Sequence, residues 1–260
     1  FRGHRIPLPP VAGGVSTPDS EWRADQIAIR LEQTGRAIDW SVSAFQGGDL
    51  SPDLGLQPGM TGQQANGPIG QGDSAGLSLL HHDVTVIGAD AAGNLGRYGL
   101  RAEAAYFRTE DGHGTNRFIK NPYLFVVAGG DRTIREHMNV NVQYLFRFTT
   151  HINSVVPRDP MFADLVARQQ AVMSAQTQHA QHGASARVSY KWLRETLEGE
   201  CAAVGFFGPH GLALRPKVTY AATDRWKILA GADLYRGDSL SVFGVLRPNS
   251  TAYVEARWSF

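Results

Sequence analysis

Hydrophobic and polar residues alternate with a period of two over the last ten residues, Thr251–Phe260. The apolar positions share one face: Ala252, Val254, Ala256, Trp258 and Phe260. The opposite face holds Thr251, Glu255, Arg257 and Ser259, with Tyr253 among them. Side chains of a β-strand alternate between its two sides, so this period is typical of a strand between an apolar and a polar environment.

The same alternation recurs along the chain. It is clear at residues 27–32, 98–108, 139–149, 184–192, 212–220 and 225–235. Weaker candidates lie at 38–46, 77–89, 121–130, 196–206 and 239–247. Short turn signals such as Arg236-Gly237-Asp238 separate many of the segments. About twelve strands, or more, predict an all-β protein: a transmembrane, up-and-down antiparallel β-barrel in a single domain of residues 1–260.

A soluble β-sandwich alternates in the same way and is the main alternative. Two features favour the barrel. Long charged side chains lie in the middle of the polar face on nearly every segment. The tryptophans all lie near predicted strand ends, as in the aromatic girdles at membrane interfaces: Trp22, Trp40, Trp192, Trp226 and Trp258.

Three stretches do not resemble strands. Residues 1–21 form an irregular lead-in, and residues 47–76 and 152–182 are long inter-strand segments. The last contains a predicted amphipathic helix of about 20 residues that follows Asp159-Pro160. Its apolar spacing uses Phe162, Leu165, Val166, Gln169, Val172 and Met173. The helix is expected to pack at the barrel rim or inside its mouth, or else to form a plug or a docking element for a periplasmic or membrane protein.

The predicted topology contains a conflict. If Phe260 lies in the periplasm, a count of twelve strands makes the short turns external and the long segments periplasmic. Most outer-membrane barrels have short periplasmic turns and long external loops. Either one weak strand is miscounted, or this barrel has its long segments inside.

Composition excludes some classes of partner and of structure. The chain has 260 residues and a net charge of +1, so bulk charge predicts no nucleic-acid partner. No uninterrupted apolar stretch reaches the length of a transmembrane helix, whereas barrel strands alternate and need only about 9–11 residues. The single cysteine, Cys201, excludes an internal disulfide framework.

The polar face is the predicted functional surface, as the lining of a lumen. Its predicted residues are Arg30, Glu32, Arg101, Glu103, Gln143, Arg147, Arg187, Lys191, Glu198, Glu200, Arg215, Lys217, Lys227, Asp233, Glu255 and Arg257. Nine of them are basic and six are acidic, which would mildly favour anionic solutes. Alternatively, the charges pair across neighbouring strands and rigidify a narrow interior.

No catalytic or metal-binding pattern stands out. His81 and His82 are adjacent, and on a strand they would point to opposite faces. His179 and His182 could share a face of the predicted helix, but no further ligand is evident. No serine-hydrolase motif is present, so the sequence predicts no enzyme, no metal site and no cofactor.

Several segments resemble uncharacterised families of proteobacterial outer-membrane barrels, broadly akin to alginate-export-type porins. They are residues 37–52, 86–90, 100–106, 129–132 with 139–144, and Phe243-Gly244. Segments like Phe1–Pro10 follow further strands in such proteins, which implies a barrel larger than twelve strands or a missing N-terminal part. The final strand, which closes on Phe260, resembles the one that barrel-assembly machinery reads.

This resemblance implies a location in the outer membrane of a Gram-negative bacterium, in contact with lipid and lipopolysaccharide. The function predicted on these grounds is a porin-like channel for passive passage of small polar or anionic solutes. The alternative is a non-conducting barrel that acts as an anchor or sheath in a larger complex.

Overall fold

The computed structural model describes residues 26–56, 77–152 and 161–259. The predictions for the lead-in 1–21, for Trp22, for Asp159-Pro160 and for Phe260 fall outside these ranges. The same holds for most of the segment 47–76.

Eleven of the described strands form one antiparallel sheet in which each strand pairs with the next strand of that sheet along the chain. In chain order the strands are β1 (Ile27–Gln33), β2 (Ile38–Gly48), β3 (Asp53–Leu56), β4 (Leu77–Leu80), β5 (Asp83–Leu95), β6 (Tyr98–Thr109), β7 (Tyr123–Ile134), β8 (Met138–Thr149), β9 (Ala180–Trp192), β10 (Leu197–Phe207), β11 (His210–Ala221), β12 (Trp226–Gly237) and β13 (Thr251–Trp258). The short strands β3 and β4 pair with each other in a second sheet. Among the described strands, β1 and β13 are the two edges of the large sheet.

This architecture confirms the predicted fold class, an all-β, up-and-down antiparallel protein of the barrel type. The pairing register explains its two faces, because directly opposed residues point to the same side of a sheet. Ile29 of β1 opposes Ala44, which opposes Ile87, which opposes Tyr106 of β6. By the pairing of successive strands, the same side of the sheet continues through every strand to Val254 of β13. We call this side the apolar face and the opposite side the polar face.

Charge is kept to the ends of the apolar face. By register, the charged residues of the described strands on this face are Asp83, Arg108, Arg132 and Arg236, and each lies close to an end of its strand. Strands β5–β12 have 11 to 13 residues. That is enough for the roughly 9–11 residues that a tilted strand needs to cross a bilayer.

The pattern of buried side chains does not fit a soluble β-sandwich. A sandwich hides one face of each sheet in a core. In the described part of this chain, the buried apolar side chains of the large sheet are Val84, Leu145 and Ala213. Large apolar side chains of the apolar face are exposed instead, with Ile29 at 74% and Val254 at 76%. A sheet that exposes an apolar surface on one side and a charged surface on the other fits a membrane barrel wall.

The two ends of the sheet differ in their connections. Tight turns at 34–37, 96–97, 135–137, 193–196 and 222–225 lie at one end, together with the end of β13 at Trp258. The described parts of the long connections 49–82, 110–122, 150–179 and 238–250 lie at the opposite end, as does the two-residue turn 208–209. We call these the short-turn end and the long-loop end.

The prediction that the long loops lie at the same end as the C-terminus of the last strand is therefore wrong. Its cause is one miscounted strand. Residues 239–247, predicted as a strand, contain a short helix α2 (Val242–Val245) and the start of a 3-10 turn (Arg247–Asn249). Ser241 caps α2, because its hydroxyl accepts a hydrogen bond from the backbone N–H of Gly244 at 2.9 Å. Removing one strand reverses the assigned side of every loop before it.

The helix in segment 152–182 is real but shorter than predicted. Helix α1 spans Met161–Met173, which is 13 residues. Its buried positions include Ala163, Val166, Ala167 and Gln170, whereas Leu165 and Met173 of the predicted apolar face are exposed. His182 lies in β9 and His179 just before it, so the predicted helical pair of histidines is wrong. Among the described helices, none is long and apolar enough to span a membrane.

Candidate functional site: the polar face and the loop cap

The register places all sixteen predicted lumen residues on the polar face of the sheet. Arg30 opposes Ser43, Glu103 opposes Asp90, and Arg187 opposes Ala202, and the other predicted residues fall in the same alternate positions. The strands supply this arrangement directly, because every second residue of each strand shares a side. That this side lines a lumen stays a prediction.

Three carboxylates of the polar face were missed by the sequence analysis. The register adds Asp39 of β2, Asp90 of β5 and Asp131 of β7 to this side. Asp90 and Asp131 follow directly after the predicted ends of their strands, at residues 89 and 130, and Asp39 lay in a weak candidate. The described polar face therefore holds nine basic and nine acidic side chains, not nine and six. An excess of positive charge is not present.

Most of these charges form ion pairs along the wall. Glu200 lies between two cations: its Oε1 is 3.1 Å from Lys217 Nζ, and its Oε2 accepts from Arg187 Nε at 2.9 Å. Arg215 Nε lies 2.9 Å from Asp233 Oδ1, and further pairs join Arg30 to Glu32, Arg101 to Asp131, Lys191 to Glu195 and Arg257 to Glu255.

The arginines of these pairs are exposed to solvent, whereas the Glu200 side chain is 13% exposed. The arginine side chains of the pairs are between 57% and 68% exposed, with Arg187 at 57% and Arg257 at 68%. Exposed ion pairs contribute only about 0–1 kcal/mol each, so they do not lock the wall strongly. The polar face is a charged surface open to solvent, which is the surface that a water-filled passage requires.

Five charged groups of the described polar face have no oppositely charged side chain within 4.0 Å: Asp39, Glu103, Arg147, Glu198 and Lys227. Arg147 instead lies over the ring of Tyr123, with its guanidinium carbon 3.8 Å from the ring centre. Tyr123 in turn stacks on Phe107, with ring centres 4.4 Å apart. A cation over a desolvated aromatic ring is stabilised by the ring quadrupole.

Two recesses lie on the polar face. The first has a volume of about 450 Å³ and is lined by Arg30, Asp90 and Glu103 with Ser43 and Phe125. The second has a volume of about 370 Å³ and is lined by Arg187 and Arg215 with Gln143 and Ser185, and also by Asn141 and Phe243. Each is large enough for a small organic solute, since ligand pockets typically begin near about 300 Å³.

At the long-loop end the connections fold onto one another and form a cap, defined by residues 49–56, 77–82, 110–122 and 161–179. Its centre is Lys120, whose side chain is 6% exposed. Lys120 Nζ lies 2.9 Å from Asp49 Oδ2 and 3.3 Å from Asp53 Oδ1, and it donates to the backbone carbonyl of Ser51. A buried ammonium needs such partners, because an unpaired buried charge is very costly.

Helix α1 joins the same junction through two glutamines. The side chain of Gln170 donates to Asp53 and accepts from the backbone N–H of Leu54 at 2.6 Å. Gln176, just beyond the helix, exchanges two hydrogen bonds of 2.8 Å with the backbone of Asn121. Three connections that are far apart in sequence are therefore held by buried polar contacts. The helix packs inside this cap at the long-loop end, and its position relative to a barrel rim or mouth stays a prediction.

The cap contains two carboxyls with shifted pKa values. Burial raises the pKa of Asp53 above its ordinary 3.8, and the charge of Lys120 opposes that shift only in part. At Asp111, burial again raises the pKa, but hydrogen bonds from Asn116, Thr115 and Gly114 outweigh it, so the pKa lies below 3.8.

Helix α2 covers part of the polar face at the same end. Phe243 stacks on Phe206 and on Tyr235, with ring centres 6.0 and 6.3 Å away. Both partners belong to the polar face by register. At the long-loop end, α2 therefore covers part of the polar face, and the cap lies at the same end.

The histidines of the first long connection tie loops together. His81 Nδ1 lies 2.8 Å from the carbonyl of Asp49, and His82 Nδ1 lies 2.9 Å from Glu110. They bond in different directions, and no cluster of potential metal ligands is found among the described residues.

The four described tryptophans, Trp40, Trp192, Trp226 and Trp258, lie at the short-turn end of the apolar face. Trp226 and Trp258 are cross-strand partners with ring centres 6.3 Å apart. Trp192 covers Gly199, where a Cβ atom would come within 2.7 Å of the ring. This is the placement that an interfacial girdle requires, and the girdle itself stays a prediction.

The sheet and its faces define the class of protein as an antiparallel membrane-barrel wall. No family model matches the sequence, and no curated protein does. Among solved structures, the chain is similar to the outer membrane channel DcaP of Acinetobacter baumannii, with a TM-score of 0.45 and 12% identity. The match covers 90% of this chain and 62% of that chain, so this chain spans less than two thirds of the channel's length. A TM-score of this size does not equate two folds, and the class rests on the strands themselves.

Proposed function

We propose that the protein is a porin-like channel that passes small polar solutes through an outer membrane by diffusion. The observation that supports this most is the division of the sheet into two exposed faces, one apolar and free of charge except near strand ends, the other charged and wet. An apolar band suits lipid, and a polar interior suits a water-filled passage. No catalytic role is proposed.

The proposed orientation uses the corrected topology and assumes that the end of β13 faces the periplasm. The short-turn end is then periplasmic and the cap is external. This is the usual arrangement of outer-membrane barrels. Lipid and lipopolysaccharide then contact the apolar face, and assembly machinery is expected to recognise the final strand with Phe260.

Reconstitution of the purified protein in planar lipid bilayers tests the proposal. We expect stepwise conductance in KCl that depends on added protein, from protein whose heat-modifiable migration demonstrates an intact barrel. A correctly folded protein that stays electrically silent would contradict the channel.

A second function is supported by a separate observation, the buried Lys120 junction. A cap held by buried charges and hydrogen bonds favours a mouth that stays narrow. On this account the barrel is a non-conducting anchor or sheath in a larger complex. Stoichiometric copurification of another membrane or periplasmic protein in mild detergent, combined with electrical silence, distinguishes it from the channel.

A further inference from the structure

Charge is divided unevenly around the polar face. Strands β1, β2 and β5–β7 carry two basic side chains on this face, Arg30 and Arg101, against five acidic ones. Those five are Glu32, Asp39, Asp90, Glu103 and Asp131. Strands β8–β13 carry seven basic side chains against four acidic ones: Arg147, Arg187, Lys191, Arg215, Lys217, Lys227 and Arg257 against Glu198, Glu200, Asp233 and Glu255. The described part of the polar face is neutral as a whole, but one half of it has an excess of negative charge and the other half an equal excess of positive charge.

The two recesses show the same division. In the recess of the first half, Glu103 has no cation within ion-pair distance among the described residues, and Arg30 lies 3.8 Å from Asp90. The recess therefore has a carboxylate available to a ligand. The recess of the second half is lined by two guanidinium groups and by no carboxylate. Glu200 and Asp233, which pair with Arg187 and Arg215, lie outside its lining.

The physical consequence depends on how the sheet curls. In a barrel wall, strands that are far apart in the sheet order face each other across the lumen. Opposite charges on facing walls create a field across the passage, and the low dielectric of the surrounding protein and lipid strengthens it. A neutral total gives little preference between cations and anions, whereas a solute with both charges interacts favourably with both walls.

We propose that the protein favours small zwitterionic solutes, whose ammonium group is attracted to the Glu103 recess and whose carboxylate is attracted to the Arg187 and Arg215 recess. This inference rests on the proposed channel function, and it names the substrate class of that channel. It replaces the preference for anions that the sequence alone indicated.

Flux into proteoliposomes tests the inference with three probes of similar size: 4-aminobutyrate, butyrate and n-butylammonium. We expect the zwitterion to enter faster than either ion. Glu103→Gln and Arg215→Gln should each reduce its flux about threefold, the effect of losing one exposed charge interaction. Asp224→Asn and Arg225→Gln, which remove charges from a short turn away from the polar face, are the matched controls and should leave the flux unchanged.

The two proposals fail in different ways. If the wild-type protein shows no KCl conductance, the channel itself is wrong. If it conducts but passes the three probes at equal rates, or if Glu103→Gln lowers the flux of all three equally, the channel stands and the zwitterion preference is overturned. Heat-modifiable migration of each variant establishes that it is folded.

Discussion

At the scale of single residues, the cap depends on charges taken out of water. Asp53 is 2% exposed and Lys120 is 6% exposed, and each is the other's partner. Breaking such a pair by removing one member costs about 3–5 kcal/mol, because the remaining charge has no compensation. Lys120 is therefore the residue whose loss should disturb the cap most.

The pKa of Asp53 gives a pH prediction with a definite sign. Because burial raises this pKa above 3.8, the stability that the protonated carboxyl confers is present below 3.8 and is lost as the pH rises through the raised pKa. We expect amide hydrogen exchange at Leu54, whose N–H binds Gln170, to become faster as the pH rises through that window, after correction for intrinsic exchange rates.

Carbon-13 titration of the Asp53 carboxyl in the solubilised protein measures the pKa directly. Lys120→Met should raise it further, because the opposing charge is gone. The pKa of Asp111 lies below 3.8, so the stability from its hydrogen-bonded turn is present above 3.8 and is lost as the pH falls through that lowered pKa. Asp53 and Asp111 therefore change the stability of the cap in different pH ranges. A measured pKa of Asp53 below 3.8 would contradict the prediction that burial raises this pKa.

The residues of the polar face could be predicted from alternation alone, since a strand leaves no choice of side. Asp90 and Asp131 were lost because predicted strand ends are uncertain by a few residues. The Lys120 junction could not be predicted. Its members come from connections around residues 50, 120 and 170, and no local pattern brings them together.

At the scale of elements, strands with strong alternation were predicted well, and short apolar runs were not. Residues 239–247 look like a strand because Leu240, Val242 and Val245 are apolar, but Ser241 caps a helical turn there. Helix α1 ends earlier than predicted, at a position where the sequence has no glycine to mark the end. Ala175 adopts a left-handed conformation with φ of 52°, and the N–H of Gln176 bonds back to the carbonyl of Ala171. Glycine is the usual residue at such an end.

Gln176, just after α1, holds the end of this helix to the connection that contains Asn121. We expect Gln176→Ala to speed hydrogen exchange at Asn121 and to raise the conductance of reconstituted protein, because two buried backbone groups lose their partners, at about 1–3 kcal/mol each.

Gln169→Ala is the matched control. It removes the same side chain from α1 at a half-buried position that takes no part in the junction. Equal exchange rates at Asn121 in both variants would show that the Gln176 contact does not hold the cap.

At the scale of the whole molecule, the count of strands decides the orientation. Eleven strands in the large sheet put Trp258 with the short turns and the cap at the opposite end. The sequence predicted the class of fold from repeated alternation, but one false strand reversed its loops. Periodicity predicts which side chains of a strand share a side, but it does not establish the number of strands.

The central claim is that the apolar face meets lipid and the polar face meets water. It is tested most directly by thiol labelling of four consecutive β9 positions in lipid vesicles, using Ala186→Cys, Arg187→Cys, Val188→Cys and Ser189→Cys in a Cys201→Ala background. A small, charged, water-soluble thiol reagent should modify positions 187 and 189 rapidly and positions 186 and 188 slowly, because only the first pair lies on the polar face. Equal rates at all four positions, or the opposite alternation, would contradict a barrel wall with water on one side and lipid on the other.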